Sequence, residues 1–293
     1  MEHSVRSGFV AILGKPNVGK STFLNTAIGA KISITASKPQ TTRNRILGIL
    51  DVPDAQIVFL DTPGIHVSGK ALNVYMVEKA LSTLFDADIA MVMAAPGDTV
   101  ETLSEITEYV GKARKDSLLV LNKADLVRQE DRAGLLEQLG RAGVFRESFA
   151  ISSLTGEGVT DLLEGLKRLL PEGPRFFPED MITDAPVRFL CQELVREKVF
   201  ALTHKEIPYA AAVEVEEFRE GDPTVIRAAI HVERPSQKAI VIGAGGRMIR
   251  EIGSQARMDI QRLLGTRVFL ELFVKVTRDW TKKPSRLKDF GYE

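Results

Sequence analysis

The sequence predicts an α/β protein, with a mostly parallel, doubly wound sheet in a first domain and a smaller α+β domain after it. Three observations carry that prediction. Apolar runs of strand length at 9–13, 46–50, 57–60, 89–94, 118–121 and 148–151 mostly alternate with three- and four-residue apolar spacing at 71–85, 101–113, 130–141 and 159–170. The first run turns through Gly14-Lys15-Pro16-Asn17-Val18-Gly19-Lys20-Ser21 straight into a helical pattern over 22–28. From residue 187 the order changes to α-β-β-α-α-β, with Gly243-Ala244-Gly245-Gly246 between two helices.

Composition sets the frame. The 293 residues suit two ordinary domains, and 44% hydrophobic with 27% charged content is that of a globular chain able to bury sizeable cores. No apolar run approaches the roughly 18 residues that span a bilayer, and residues 1–7 are too short and polar for a secretory signal, so a cytosolic protein is expected. The single cysteine, Cys191, excludes an intramolecular disulfide and lies in an apolar helical pattern, where it reads as packing. A net charge of zero hides an asymmetry. Residues 234–293 carry 13 Lys+Arg against 6 Asp+Glu, and residues 1–233 carry 26 against 33, so the basic end is where a polyanion would bind.

Taken in order, the strand-to-helix turn at Gly14–Ser21 is a phosphate cradle. It aims successive backbone N–H groups and a helix N-terminus at one point, with Thr22 completing the nucleotide set. Lys20 is placed to reach the β- and γ-phosphates, and the Ser21 hydroxyl to ligate Mg²⁺. Runs two and three lack a helix between them, and Pro53-Asp54 reads as a hairpin turn, so one edge strand should be antiparallel. The polar segment 37–43 could complete the Mg²⁺ shell with a hydroxyl while the γ-phosphate is present. Asp61-Thr62-Pro63-Gly64 ends the third strand. Alone it is an ordinary turn. After a phosphate cradle, Asp61 can hold the Mg²⁺ hydration shell and the Gly64 N–H can sense the γ-phosphate. Asn122-Lys123-Ala124-Asp125 ends the fifth strand, where a carboxylate accepts from guanine N1–H and its amino group, both lacking on adenine. Ser152-Ser153-Leu154, after the sixth strand, could offer a backbone N–H to guanine O6.

These stretches resemble the translation-factor-related P-loop GTPases over residues 8–170, and PQTTR, DTPG and NKAD within them are similar to the Era-like branch. The resemblance implies GTP hydrolysis to GDP and phosphate, with Thr42 as the switch threonine and Thr41 as second choice. Lys20, Thr42 and Gly64 are then the catalytic set, and Ser21, Thr42 and Asp61 the Mg²⁺ set. Many GTPases place a water-orienting Gln after the DxxG glycine. Here Ile65 stands there, so slow intrinsic turnover is expected. Asn17 matches an asparagine that some relatives use to hold K⁺. Arg43 and Arg45 are arginine-finger candidates by location alone.

Pro171 to Pro174 ends the last helix of the first domain, which sets expected boundaries at 1–172 for the GTPase domain and 173–186 for a linker. The second domain is expected over 187–277, with a basic tail at 278–293. A lone GxxG usually means a tight helix-helix turn. Flanked by Ile240, Val241, Ile242, Ile249 and Ile252 in a basic region, it resembles a type II KH domain. RNA contact then falls to Gly243, Ala244, Gly245, Gly246, Arg247 and Arg250. Trp280 reads either as a stacking surface for a base or, preferred, as a cap on the KH core. A GTPase followed by a KH domain is the Era-like arrangement. It implies binding of the 3′ end of small-subunit (16S) ribosomal RNA and maturation of the 30S subunit. It also implies a monomer in the cytoplasm with weak peripheral association at the inner face of the cell membrane. The rival readings are a KH-like module that binds protein or membrane, and a metabolic phosphotransferase, against which NKAD argues.

Overall fold

The structure, a computed structural model, describes residues 5–35, 41–62, 82–143, 145–282, 287 and 290. Two compact units emerge. The first takes in Met1–Ser33, Thr42–Val67 and Met76–Asp184, and the second Ile34–Thr41, Ser68–Tyr75 and Ala185–Glu293.

In the first unit, strands β1 (Val5–Gly14), β2 (Ile46–Val52), β3 (Ala55–Asp61), β4 (Ile89–Ala94), β5 (Asp116–Leu121) and β6 (Glu147–Ala150) form one sheet in the order β2-β3-β1-β4-β5-β6. β3 and β4 are buried at every residue, as expected of parallel strands covered on both faces. The β2–β3 hairpin through Pro53-Asp54 is antiparallel, as its turn residues predict. A two-residue strand, β7 (Glu172–Gly173), pairs antiparallel with β1, a ladder too short to leave a periodic signal.

The described helices of this unit are α1 (Lys20–Ile28), α2 (Val100–Ala113), α3 (Gln129–Gly140) and α4 (Val159–Leu169), with helical residues again at 82–86. Most of the expected 71–85 helix lies outside the described residues. α2 shows why such segments become helices. Thr99 and Thr102 bond reciprocally to each other's N–H, satisfying two orphan donors, and Leu103, Ile106 and Val110 bury one stripe.

Of the stretch 173–186, read from sequence as a linker, residues up to Asp184 are bonded into the first unit. The Gln56 amide oxygen accepts from the N–H groups of Phe176 and Phe177, and the N–H of Ile49 donates to the carbonyl of Ile182. No residue period announces this, because the partners lie more than a hundred positions away.

The second unit packs α5 (Val187–Leu202) and α8 (Arg247–Leu264) on a three-stranded sheet. Its strands are β8 (Ala212–Arg219), β9 (Thr224–Val232) and β10 (Val268–Val276), in the order β10-β9-β8. β8 and β9 are antiparallel, β9 and β10 parallel. Two short helices, α6 (Ile207–Ala210) and α7 (Pro235–Ile242), complete it, α6 being unannounced by any repeat. Cys191, Leu194, Val195, Val213, Ile230, Ile252 and Ile260 share the core. Burial pushes the Cys191 thiol up to about 12, which suits an inert packing residue. Trp280 is fully buried, donates to the Ala210 carbonyl at 2.9 Å and stacks edge-on against Phe290. The core-cap reading of Trp280 is the one observed.

Candidate functional site

The phosphate cradle forms because β1 delivers its C-terminal end to the start of α1. Gly14 and Gly19 have positive φ values of +156° and +102°. A Cβ on Gly19 would lie 2.2 Å from the Asn122 amide nitrogen, and one on Gly14 would lie 2.6 Å from the Met93 carbonyl. Only glycine fits either place. Lys15 pairs with Asp98 at 3.5 Å, Pro16 is half-buried and Val18 is buried. Lys20 Nζ donates to the carbonyls of Gly14 and Lys15, each at 3.0 Å. Burial pushes its ammonium down to about 8, with the charge of Asp61 opposing that shift. Burial also pushes the Asp61 carboxyl up, against Lys20, Ser21 and Ser33. A buried ammonium and a buried carboxylate, each disfavoured in its charged form, describe a site made for a polyanion with a cation.

The residues expected to ligate the metal converge. Ser21 Oγ lies 2.7 Å from Thr42 Oγ1 and donates to Asp61 Oδ2 at 2.8 Å. Neighbouring ligands on an octahedral Mg²⁺ with bonds of about 2.1 Å are about 3 Å apart, so the two hydroxyls already have nearly the right spacing. Asp61 Oδ1 is buried with no hydrogen-bond partner among the described residues. An orphaned buried oxygen beside two hydroxyls fits Mg²⁺ or its hydration shell. Thr62 spends its hydroxyl on the Ile12 carbonyl at 2.7 Å and so ties β3 to β1. Pro63, Gly64 and Ile65 lie outside the described residues. Thr22 sits in the first turn of α1.

At the base end, Asn122 is a joint. Its Nδ2 donates to the Val18 carbonyl at 2.8 Å, and its Oδ1 accepts from Ser153 N–H and Oγ at 2.9 and 2.8 Å. Lys123 Nζ adds a bond of 2.7 Å to the Asn17 carbonyl. One side chain therefore locks the phosphate loop to the loop at Ser153, the expected base loop. Asp125 is exposed, and its carboxylate engages no other side chain among the described residues, leaving both oxygens for a ligand. Ser152 and Ser153 both spend their N–H groups inside the protein, on the Glu157 carbonyl and on Asn122. Of the three N–H groups in Ser152-Ser153-Leu154, it is that of Leu154 that has no protein acceptor among the described residues, and the Leu154 side chain is 80% exposed. Of the arginine-finger candidates, Arg43 is 1% exposed and Arg45 pairs with Asp86 at 3.8 Å.

In the second unit Gly243, Gly245 and Gly246 all have positive φ, at +73°, +58° and +75°. A Cβ on Gly243 would strike Met248 at 2.8 Å, whereas Gly245 and Gly246 border open space. The loop thus shows bare backbone at the N-terminus of α8, where N–H groups can meet a phosphate. Ala244 is exposed beside it. Arg250 is bonded to the loop carbonyls, with Nη2 at 2.7 Å from Gly245 O and Nε at 3.2 Å from Gly246 O. Arg247 is exposed at the first turn. Next to the loop, a groove of about 430 Å³ runs between α8 and the edge strand β10, lined by Ile249, Gly253, Ser254, Arg257, Phe269 and Leu272 among others. Sequence reading missed this wall. The available signal was the pair of aromatics, Phe269 and Phe273, on a strand of which only Val268 and Val274 are buried.

The family model described as a 50S ribosome-binding GTPase matches residues 9–123, and the KH domain model matches residues 206–281. The GTPase Era of Geotalea daltonii is 50% identical over 301 residues, covering 100% of this chain and 99% of the relative. The chain belongs to the Era family of GTPases. The Era of Syntrophus aciditrophicus is 48% identical over 98% of this chain and 95% of its own. Among solved structures, Era in complex with MgGDPNP and nucleotides 1506–1542 of 16S ribosomal RNA is similar at a TM-score of 0.95 and 40% identity, covering 98% of this chain and 99% of that one. A variant of Aquifex aeolicus Era bound to GDP and aluminium fluoride has the same TM-score at 39% identity. Era membership accounts for the pairing of a nucleotide cradle with a GxxG groove in one chain.

Proposed function

We propose that this chain is a GTP-hydrolysing, RNA-binding switch that binds the 3′ end of 16S ribosomal RNA and assists maturation of the 30S subunit. The observation that carries it is a phosphate cradle locked by Asn122 to the loop beside Asp125, in a chain that also opens a bare GxxG beside a groove. In this reading Asp125 reads guanine and the Leu154 N–H meets its O6. Lys20 and the cradle N–H groups hold the phosphates, and Gly64 senses the γ-phosphate. Ser21 and Thr42 ligate Mg²⁺, with Asp61 on its hydration shell. Held by these residues, Mg²⁺ would supply charge neutralisation for the in-line attack of water. With Ile65 where others carry Gln, turnover is slow. Asn17 offers K⁺ a place to raise it, and equal rates in K⁺ and Na⁺ buffers would remove that part.

For the RNA, a relative at 40% identity is solved with MgGDPNP and 16S nucleotides. The description of the matched GTPase model names the 50S subunit, but that match is confined to residues 9–123, while the Era likeness spans the chain. Arg247 and the bare loop take the RNA backbone, with Arg250 bracing the loop.

Calorimetry with GTP and ATP tests the first half. GTP is preferred by about 10⁴-fold, and Asp125→Asn abolishes the preference. Filter binding of an RNA spanning the 16S 3′ end tests the second, with Gly246→Asp weakening RNA and leaving GTP affinity unchanged. ATP held as tightly as GTP, or RNA held equally by Gly246→Asp, overturns the corresponding half. Monomeric state and a cytoplasmic place with weak peripheral membrane association complete the proposal. No helix among the described residues is long and apolar enough to cross a membrane, and co-sedimentation with anionic vesicles checks the association.

A further inference from the structure

We infer that Ser33 is a positioning residue for the metal carboxylate, orienting Asp61 so that one of its two oxygens stays available to the magnesium shell. The inference rests on the reading of Ser21, Thr42 and Asp61 as the Mg²⁺ site. Asp61 is fully buried, and its oxygens differ sharply in surroundings. Oδ2 accepts from Ser21 Oγ at 2.8 Å and from Ser33 Oγ at 3.0 Å, while Oδ1 has no partner among the described residues. Both donors found among the described residues sit on one oxygen, so the carboxylate has a defined inner and outer face. Of the two donors, Ser21 also has the metal to serve. Ser33, 1% exposed, has the carboxylate alone as its side-chain partner among the described residues.

What holds Ser33 there is Asn25 on α1. Its Oδ1 accepts from the N–H groups of Ile32 and Ser33 at 3.0 and 2.9 Å, and its Nδ2 donates to the Ser33 carbonyl at 2.7 Å. Three bonds fix two residues of backbone, and the hydroxyl follows. The carboxylate is thereby referenced to the same helix that carries Lys20 and Ser21. Partners that orient a metal-binding group typically contribute 10–100-fold to metal affinity.

The test uses the full chain and the release rate of a fluorescent GDP analogue, measured across a Mg²⁺ titration and in EDTA. In Ser33→Ala, the Mg²⁺ concentration that half-maximally slows release rises about tenfold, and the EDTA rate matches wild type. Ser33→Cys keeps the volume with a weak donor, gives an intermediate shift, and carries the test alone if the alanine variant fails to fold. A Mg²⁺ midpoint equal to wild type in the folded variants overturns the inference, and so does release accelerated equally in EDTA, which marks a merely structural serine. The metal reading is separated by the controls. If wild-type release ignores Mg²⁺, that reading falls and takes this inference with it. If wild type responds, Asp61→Asn does not, and the Ser33 variants behave as wild type, only the role of Ser33 falls.

Discussion

At Gly19 two functions meet in a space too small for a methyl group. A Cβ there would sit 2.2 Å from the Asn122 amide on a backbone with φ of +102°. Gly19→Ala must adopt a disfavoured conformation and displace the amide that holds Val18, at a cost of about 1–3 kcal/mol. Its GDP affinity should fall by roughly tenfold or more in calorimetry. Lys20 offers a second check. Its ammonium is pushed by burial to about 8, and a bound phosphate chain restores the charged form. Nucleotide binding near that pH therefore takes up a proton, seen as a dependence of binding heat on the buffer, and the uptake fades well below it. The cradle, Asp61 and Asp125 were legible in the sequence because their chemistry demands fixed residue types at fixed spacing. Ser33 was not, and the stretch Ser152-Ser153-Leu154 was legible without the choice among its N–H groups. The roles proposed for Ser33 and the Leu154 N–H depend on which neighbours already consume a hydrogen bond, and that is a three-dimensional fact.

At the scale of the element, β9 carries a pH-sensitive joint. His231 is buried, its Nε2 3.2 Å from Glu214 Oε2 and its Nδ1 2.9 Å from Thr277 Oγ1, with Glu216, Lys275 and Phe290 around it. Burial lowers its pKa, with Lys275 acting the same way and Glu214 and Glu216 opposing. The unfolded chain then takes up a proton near the ordinary value of about 6.5 that the folded chain refuses, so stability is lost as pH falls through that value. Melting temperature should decline between neutral and mildly acidic pH, and the slope should flatten in His231→Gln. A variant with the parent slope assigns the effect to other groups. Strands and long helices were legible because a period of two or of 3.6 repeats over many residues. The four-residue α6, with Pro208 near its start, and the two-residue β7 are too short to repeat anything.

At the scale of the whole molecule, the chain does not divide at one point. Ile34–Thr41 belongs to the second unit, where Glu197 Oε1 accepts from the Thr35 N–H at 3.0 Å and Arg196 donates to the Thr41 carbonyl. Glu193, Arg196 and Glu197 are at most 5% exposed there. A piece spanning residues 185–293 alone loses these partners, each bond to a charged group being worth about 1.5–3 kcal/mol. It should keep its fold while melting several degrees below the same unit in the full chain, a difference read by following Trp280 fluorescence. Equal melting temperatures would show that the borrowed segment contributes nothing. By itself the sequence determined the two-part architecture, the nucleotide and the polyanion-binding end, since spacing, periodicity and charge are properties of the chain as written. Only the tertiary structure decided that the segment from Arg175 to Thr183 bonds to β2 and β3, that Trp280 is core and that Asn122 is a joint between two loops. Hydrogen bonds and burial between residues a hundred positions apart follow from where the backbone returns, and no local pattern of residues encodes that.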